Sequence, residues 1–326
     1  MRPYLLKGHE RPLTQLRFNR EGDLLLSCAK DKSPTLWFSE DGKRVGTYMG
    51  HNGTVWTADF TLDSTRLITG SADSSARLWD TETGESLFTF QFQEPCRAVD
   101  FALGDDMAAI SSDPFMAAPA RIHIVRIEED ITDQDATPVR QMESDKSGRV
   151  SRVQFTDLNK TLLTASEDGC LRRWDVEVGK MIEEKQVHEK QVQDMQLSLD
   201  GTHVVTASTD RTSKLVDVQT LETLKNYNTE RPANSAAISP IYDHILIGGG
   251  QEASQVTTTS SRAGRFESRF FHKIFGEEFG TVRGHFGPIN AVAFHPDGRS
   301  FTTGGEDGYV RLHHFDADYF STRFLN

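Results

Sequence analysis

The chain has 326 residues and a formal net charge of −12, from 48 acidic and 36 basic side chains. Nucleic-acid backbones are bound by clustered lysine and arginine, so this balance argues against direct binding to nucleic acid, although local basic patches remain possible. Three cysteines without CxxC spacing predict buried, reduced thiols and a cytosolic or nuclear protein, and we expect a cytoplasmic location. The chain shows no long apolar run and no charged-then-apolar N-terminus, so we expect neither membrane insertion nor secretion.

A fixed spacing recurs from one end of the chain to the other. His and Asp are 22 residues apart in four places, and Trp follows Asp by six residues in three places. Extending this register gives Asp-type positions at 31, 73, 113, 168, 210, 251 and 307, hence seven units separated by 42, 40, 55, 42, 41 and 56 residues. The residues that carry the register are His9, Asp31, Trp37, His51, Asp73, Trp79, Asp168, Trp174, His188, Asp210, His285 and Asp307.

Each unit predicts four short strands. In the second unit, apolar runs alternate with Gly, Asp and Ser turns between Gly50-His51 and Trp79-Asp80. A period near 42 residues with these marks is typical of propeller blades. We therefore predict an all-β, seven-bladed β-propeller in which residues 1–326 form a single domain, although length alone would suggest roughly two. A lone strand over Pro3 to Leu6 should complete the last blade as its outermost member and close the ring.

The repeated polar residues are predicted to be structural staples. A buried His can accept a hydrogen bond from Ser or Thr and donate one to Asp, while a packed Trp N–H needs a partner of its own. A His, a hydroxyl and an Asp also resemble a catalytic triad. Four copies in one register nevertheless favour architecture, since one site would suffice for chemistry.

No motif predicts an enzyme. Gly248 to Gly250 are not followed by Gly-Lys-Ser/Thr, so a phosphate-binding loop is not expected. His313 and His314 are adjacent on a predicted strand and point to opposite faces, so they cannot easily share a metal ion. A propeller enzyme would need titratable residues in the central channel, whereas inner strands such as Val55 to Phe60 are mainly apolar. We therefore expect no catalytic residues, cofactor, metal or small-molecule substrate, while convergence of distant residues stays open.

Two long intervals mark inserts near 127–146 and 258–276. The first is rich in Asp and Glu and predicts a solvated loop, or alternatively a docking loop for a basic partner. The second interleaves Arg with Phe, and its rings, including Phe270 and Phe271, form either an outer hairpin of the sixth blade or an anchor surface for another chain. Further departures from the register are Val216, Thr257 and His313 at Trp positions and Gln251 at an Asp position.

Four longer strings make a family resemblance specific. They are MRPYLLKGHERP at 1–12, FFHKIF at 270–275, GHFGPIN at 284–290 and GGEDGYVRLHHF at 304–315. The whole chain resembles the WD-repeat β-propellers. Within them, these strings closely resemble the subunit I family of eukaryotic translation initiation factor 3, which is also described as a receptor-interacting adaptor in transforming growth factor beta signalling.

That resemblance implies a non-catalytic scaffold that joins the B and G subunits of the factor and works with the small ribosomal subunit. It implies a surface for a helix of the B subunit on the fifth unit, at Asp200, Leu215 and Asp217. The acidic pair would then meet Arg or Lys on the helix, and Leu215 would fill an apolar contact. From the residues alone, Asp200 is also a good turn residue and Asp217 the ordinary Asp after the Trp position, so a purely structural role stays open. A signalling adaptor that binds a receptor kinase is the alternative function.

Overall fold

Seven β-sheets are arranged as blades around a central channel. The computed structural model describes residues 3–116, 118–143, 148–250 and 266–321. The 28 strands of these residues form seven four-stranded antiparallel sheets. The innermost strand of each sheet contacts the innermost strands on both sides, and the last sheet meets the first. The predicted all-β, seven-bladed propeller is therefore confirmed.

Blades 1 to 3 each run outward from a first strand at the channel to a fourth strand at the rim. Blade 1 consists of β2 (Leu13–Phe18), β3 (Leu24–Ala29), β4 (Thr35–Phe38) and β5 (Arg44–Thr47). Blade 2 consists of β6 (Val55–Phe60), β7 (Arg66–Ser71), β8 (Ser75–Asp80) and β9 (Ser86–Gln91). Blade 3 consists of β10 (Cys96–Phe101), β11 (Met107–Ser112), β12 (Arg121–Arg126) and β13 (Arg140–Glu143).

Blades 4 to 6 repeat this order, and blade 7 takes its rim strand from the start of the chain. Blade 4 consists of β14 (Val150–Thr156), β15 (Thr161–Ser166), β16 (Cys170–Asp175) and β17 (Lys180–Gln186). Blade 5 consists of β18 (Val192–Leu197), β19 (His203–Ser208), β20 (Thr212–Asp217) and β21 (Thr223–Asn228). Blade 6 consists of β22 (Ala233–Ile238), β23 (His244–Gly249), β24 (Glu267–His272) and β25 (Glu278–Arg283). Blade 7 consists of β26 (Ile289–Phe294), β27 (Ser300–Gly305), β28 (Tyr309–His314) and β1 (Tyr4–Lys7).

The place of a strand within its blade decides its composition. Second strands such as β3 and β11 carry almost unbroken runs of apolar and small residues, and five of their six residues are buried. At the rim, β17 has no buried residue. A strand packed between neighbouring blades must be apolar on both faces, whereas a rim strand can carry charge. A short helix, α1 (Ala317–Ser321), follows blade 7, and no helix in the described ranges is long and apolar enough to cross a membrane.

The N-terminal strand closes the ring. β1 pairs antiparallel with β28, with Leu6 opposite Val310, so the predicted closure is confirmed. Leu6 is 2% exposed and packs in one cluster with Val310 of blade 7 and Trp37 of blade 1. Its neighbour Leu5 is 49% exposed, because successive side chains of a strand point to opposite faces. The strand therefore joins the last blade to the first.

Leu6→Ala is expected to lower the free energy of unfolding by about 2 to 4 kcal/mol, because it removes buried methyl groups from the closing seam. Leu5→Ala, one residue away on the exposed face, should change it by less than about 0.5 kcal/mol. Denaturant unfolding of both variants measures the difference. Equal losses would contradict the closing role of this strand.

The first insert is more ordered than the solvated loop expected from its charge. Ile127 is buried, and Ile131–Asp133 form a 3-10 turn. Gln134 folds back and donates from its side-chain amide to the Arg126 carbonyl at 2.7 Å. The chain then returns as β13 to complete blade 3. Residues 144–146 of the insert lie outside the described residues.

The described part of the second insert belongs to the core of blade 6. Residues 251–265, which include Gln251 and Thr257, lie outside the described residues, and β24 begins at Glu267. Phe270 and Phe271 are 4% and 3% exposed. Strand alternation turns Phe270 toward blade 7 and Phe271 toward blade 5. Of the two alternatives, this burial agrees with rings that belong to blade 6 and is against an exposed anchor for another chain.

Candidate interaction surfaces and the staples that position them

A hydrogen-bonded staple joins the strands of blade 2. His51 Nδ1 lies 2.9 Å from Asp73, and His51 Nε2 lies 2.7 Å from the Thr69 hydroxyl. Trp79 Nε1 donates to the same hydroxyl at 2.9 Å. Because an indole N–H can only donate, the Thr69 hydroxyl accepts a hydrogen bond from Trp79 and donates one to His51 Nε2. His51 Nδ1 therefore carries the ring proton and donates a hydrogen bond to Asp73.

The same arrangement recurs in three further blades, with two changes at the Trp position. Val216 replaces Trp in blade 5, and His313 replaces it in blade 7, where it stacks on Phe301 with ring centroids 4.6 Å apart. Distances from His to Asp and to the hydroxyl are 2.8 and 2.7 Å for His9 with Asp31 and Ser27, 2.9 and 2.7 Å for His188 with Asp210 and Thr206, and 3.0 and 2.8 Å for His285 with Asp307 and Thr303. Trp37 donates to Ser27 at 2.8 Å, and Trp174 of blade 4 donates to Thr164 at 3.1 Å.

The ionisation of the staples follows from this geometry. Burial opposes the charged form of Asp73, but hydrogen bonds from His51 and neighbouring donors outweigh it and hold the pKa of Asp73 below its usual value. The pKa of Asp307 is lowered in the same way. Burial also lowers the pKa of His188 and of His285. These two histidines are therefore neutral and their carboxylates charged near neutral pH.

Arginine takes the role of histidine in blades 3 and 4, which was not predicted from the sequence. In blade 3, Arg97 donates to both oxygens of Asp113 at 2.8 and 2.7 Å. In blade 4, buried Arg172 forms ion pairs with Asp168 and Glu184. The available signals were an Arg near the start of a first strand and an Arg four residues after the register Asp. An Asp that has lost its His needs another cation or donor when it is buried.

Charged side chains from several first strands converge in the central channel. Arg17 donates to Asp59 at 2.8 Å and lies 3.9 Å from Asp100. Arg152 donates to Asp194 at 2.8 Å. The expectation that the inner strands are mainly apolar is therefore wrong at the channel face. Each of the first strands of blades 1 to 5 contributes only one or two charged residues, and the ring brings those of different blades together.

The channel carboxylates bind neighbouring blades to one another. Asp59 accepts the backbone N–H of Phe101 at 2.9 Å, and Asp100 accepts that of Phe155 at 2.7 Å. Burial and the adjacent charge of Asp59 raise the pKa of Asp100 well above its usual value. The carboxyl groups of Asp59 and Asp100 therefore link each blade to the next by hydrogen bonds. Among the residues that the structure describes, no group of three or more His, Cys, Asp or Glu could hold a metal ion.

The fifth-blade edge, defined here as Leu199, Asp200 and Asp217, lies where two turns of blade 5 meet. Asp200 is exposed and accepts the Thr202 backbone N–H at 3.1 Å, and the Ser198 hydroxyl lowers its pKa to about 2. Asp217 accepts two turn N–H groups at 2.9 and 2.8 Å. Both carboxylates are therefore ionised at neutral pH and fixed in place.

Leu215 does not share this exposure. It is 6% exposed and packs in the core between blades 5 and 6, so it cannot fill the apolar contact that the family resemblance implied for it. Leu199, beside Asp200, is 81% exposed. Leu199 was not predicted as a contact residue, although an apolar residue in a Ser-Leu-Asp-Gly turn was a visible signal.

Four-stranded blades, a strand exchanged between the two ends of the chain and repeated His–Asp–hydroxyl staples define the WD-repeat β-propellers. The EIF3I family model matches residues 1–324. The chain therefore belongs to the EIF3I family.

Relatives match over nearly the whole chain. The eukaryotic translation initiation factor 3 subunit I of Bombyx mori is 49% identical over 99% of this chain and 98% of its own length. The protein of the same name from Nematostella vectensis is 48% identical over 99% of each chain. That from Drosophila pseudoobscura pseudoobscura is 47% identical over 99% of this chain and 100% of its own.

Thr69→Val keeps the shape of the staple residue in blade 2 but removes its hydroxyl. Two buried groups, His51 Nε2 and Trp79 Nε1, then lose their partner, so we expect a loss of about 2 to 4 kcal/mol in the free energy of unfolding. The matched control is Thr223→Val on an exposed strand, which should cost less than about 0.5 kcal/mol. Denaturant unfolding compares them, and a near-neutral Thr69→Val would show that the staple is dispensable.

Acid should destabilise the ring partly through His313. Burial lowers the pKa of His313 to about 3, against about 6.5 in an unfolded chain. At acidic pH the unfolded chain binds a proton at this residue and the folded chain does not. The free energy of unfolding is therefore at its full value above about pH 6.5 and decreases as the pH falls toward 3. Lowering the pH from about 7 to about 5 should cost about 2 kcal/mol through this residue.

The variant His313→Phe keeps a ring stacked on Phe301 and has no titratable group. It should therefore lose less stability than the wild type over the same pH interval, as measured by unfolding at both pH values. An identical pH dependence in the two proteins would contradict this assignment.

Proposed function

We propose that this chain is a non-catalytic scaffold subunit of the eukaryotic translation initiation factor 3 complex, bridging the B and G subunits of that factor during translation initiation on the small ribosomal subunit. The observation that carries the proposal is the fifth-blade edge, where Leu199 is exposed and the turns of Asp200 and Asp217 hold both carboxylates ionised. The relatives' name, subunit I of that factor, supports membership of the complex. A cytoplasmic location goes with this role.

The fifth-blade edge suits a basic helical segment of the B subunit. Asp200 and Asp217 present negative charge without further ordering, since backbone N–H groups of their own turns already hold both side chains. Leu199 supplies the apolar contact in place of buried Leu215. An anchor of one apolar residue between charges is a common form of interface core.

The propeller itself supports a role as a bridge rather than an enzyme. Its channel charges are bonded between blades, and its turns leave two faces and a rim for different partners at once. Rigid presentation lowers the entropic cost of binding a second partner. Fold alone does not define function, so the proposal depends on the fifth-blade edge.

The test is binding of the purified B subunit, alone and paired with the G subunit, to the full chain with Asp200→Lys and Asp217→Lys combined. Charge reversal should repel a basic helix, so we expect affinity to fall by at least about ten-fold. Calorimetry or fluorescence anisotropy measures the change, and circular dichroism checks folding. Undiminished affinity of a folded double variant would remove the fifth-blade edge from the proposal.

A matched control uses Asp80→Lys with Asp297→Lys. Asp80 caps the corresponding turn of blade 2 through the Thr83 N–H at 2.7 Å, and Asp297 caps the corresponding turn of blade 7 through the Arg299 N–H at 2.7 Å. The control therefore loses similar turn bonds and the same charge at other blades. It should bind like the wild type. If neither of the two partners binds even the wild-type chain, the scaffold function itself is contradicted.

A further inference from the structure

We infer that blades 2, 3 and 4 carry a second docking surface, which binds a basic amphipathic peptide segment of a partner protein. Its apolar part, here called the leucine arc, consists of Leu62, Leu103 and Leu158. These residues lie in the turns between the first and second strands of three consecutive blades and are 38%, 54% and 76% exposed. The arc lies on blades 2 to 4, and Leu199 of the fifth-blade edge lies in the equivalent turn of the next blade. The inference does not depend on the function proposed above.

Hydrogen bonds between blades fix the leucine arc. The Leu62 N–H donates to Asp105 of the next blade at 2.8 Å. The Leu103 N–H donates to the Asn159 side chain at 2.8 Å, and the Asn159 amide donates back to the Leu103 carbonyl at 2.7 Å. The three turns therefore hold one another in register. A partner would meet apolar side chains that are already ordered, so little entropy is lost on binding.

The backbone at Leu158 gives an independent reason to look for a contact. Asp157, Leu158 and Asn159 have φ values of 50°, 52° and 67°, in the left-handed region. Asn and Asp tolerate this region, whereas an apolar side chain rarely occupies it. Neither burial nor backbone preference explains a leucine here, since the residue is 76% exposed. Contact of this side chain with a partner protein would explain it.

The charge around the leucine arc selects the kind of partner. Exposed carboxylates border it on the turns and on the first insert, and none of them forms an ion pair within 4.0 Å among the described residues. They are Asp106, Glu129, Asp130, Asp133 and Asp157.

Arg66 forms no ion pair within 4.0 Å with the carboxylates of this border, although its charge favours the ionised form of Asp130. Its guanidinium donates to the main-chain carbonyls of Glu128 and Glu129, at 2.7 and 2.5 Å, and leaves their carboxylates uncompensated. The same contacts hold the acidic insert of blade 3 against blade 2, beside the arc. An apolar arc with an acidic border fits a segment whose leucine-like residues are flanked by Lys or Arg. RNA and a second copy of this acidic chain would both be repelled.

The test measures binding of a synthetic Leu/Lys peptide, about five helical turns long, to the full chain by fluorescence anisotropy. Two matched peptides separate the contributions: a Leu/Glu peptide with the same apolar pattern, and a Lys/Ser peptide with the same charge. We expect the Leu/Lys peptide to bind, more weakly as salt is raised, and the other two to bind at least about ten-fold more weakly. Equal binding of the Lys/Ser peptide would overturn the proposal.

The protein variants locate the site. Leu103→Ser with Leu158→Asn removes the apolar contact while placing a left-handed-tolerant residue at 158, so the turn is preserved. The control, Ile182→Ser with Leu224→Ser, removes two side chains that are each 49% exposed on the rim strands of blades 4 and 5.

We expect the arc variant to lose at least about ten-fold in affinity for the Leu/Lys peptide, and both the control and the Asp200→Lys, Asp217→Lys protein to keep most of it. Equal affinity of arc variant and control would overturn the proposal. So would sedimentation showing that the wild type self-associates and the arc variant does not, because the arc would then bind a second copy. Failure of the fifth-blade edge to bind the B subunit would leave this result unaffected.

Discussion

A buried hydroxyl group holds each regular blade together, and the rest of the propeller depends on it. The Thr69 hydroxyl accepts a hydrogen bond from Trp79 and donates one to His51, which joins the second and third strands to the segment before the first. The second strand is packed on both faces, so water cannot replace a lost partner. In blades 3 and 4, Arg97 and Arg172 instead provide partners for the aspartates of the staple position, Asp113 and Asp168. The constraint is thus the satisfaction of buried polar groups rather than one residue type.

A second set of bonds joins blade to blade at the channel. Asp59 and Asp100 accept backbone N–H groups of the next blade, and the Thr57 hydroxyl accepts that of Val99 at 3.0 Å. Titratable side chains near the axis therefore serve the ring itself. The turns present exposed side chains such as Leu199 and Leu158 on a fixed backbone. Rigid turns on a closed ring are compatible with the bridging role proposed above.

The sequence predicted the architecture well because the staples repeat at one spacing. It also predicted the exchanged N-terminal strand, since a lone strand precedes the first Gly-His. It could not place Phe270, Phe271 or Leu215, because which face of a strand is buried depends on the neighbouring blades. It also missed the channel charges, which meet only when distant strands close into a ring. The leucines of the turns could be read from the sequence, but their exposure on ordered turns could not be predicted from it.

The decisive measurement is a cryo-electron microscopy structure of this chain within the assembled initiation factor 3 complex. The scaffold role predicts density from another component of the complex against the fifth-blade edge, with a basic side chain near Asp200 or Asp217 and an apolar one on Leu199. A complex in which all three residues face solvent while partners contact other blades would contradict the assigned surface. Absence of the chain from the purified complex would contradict the scaffold role itself.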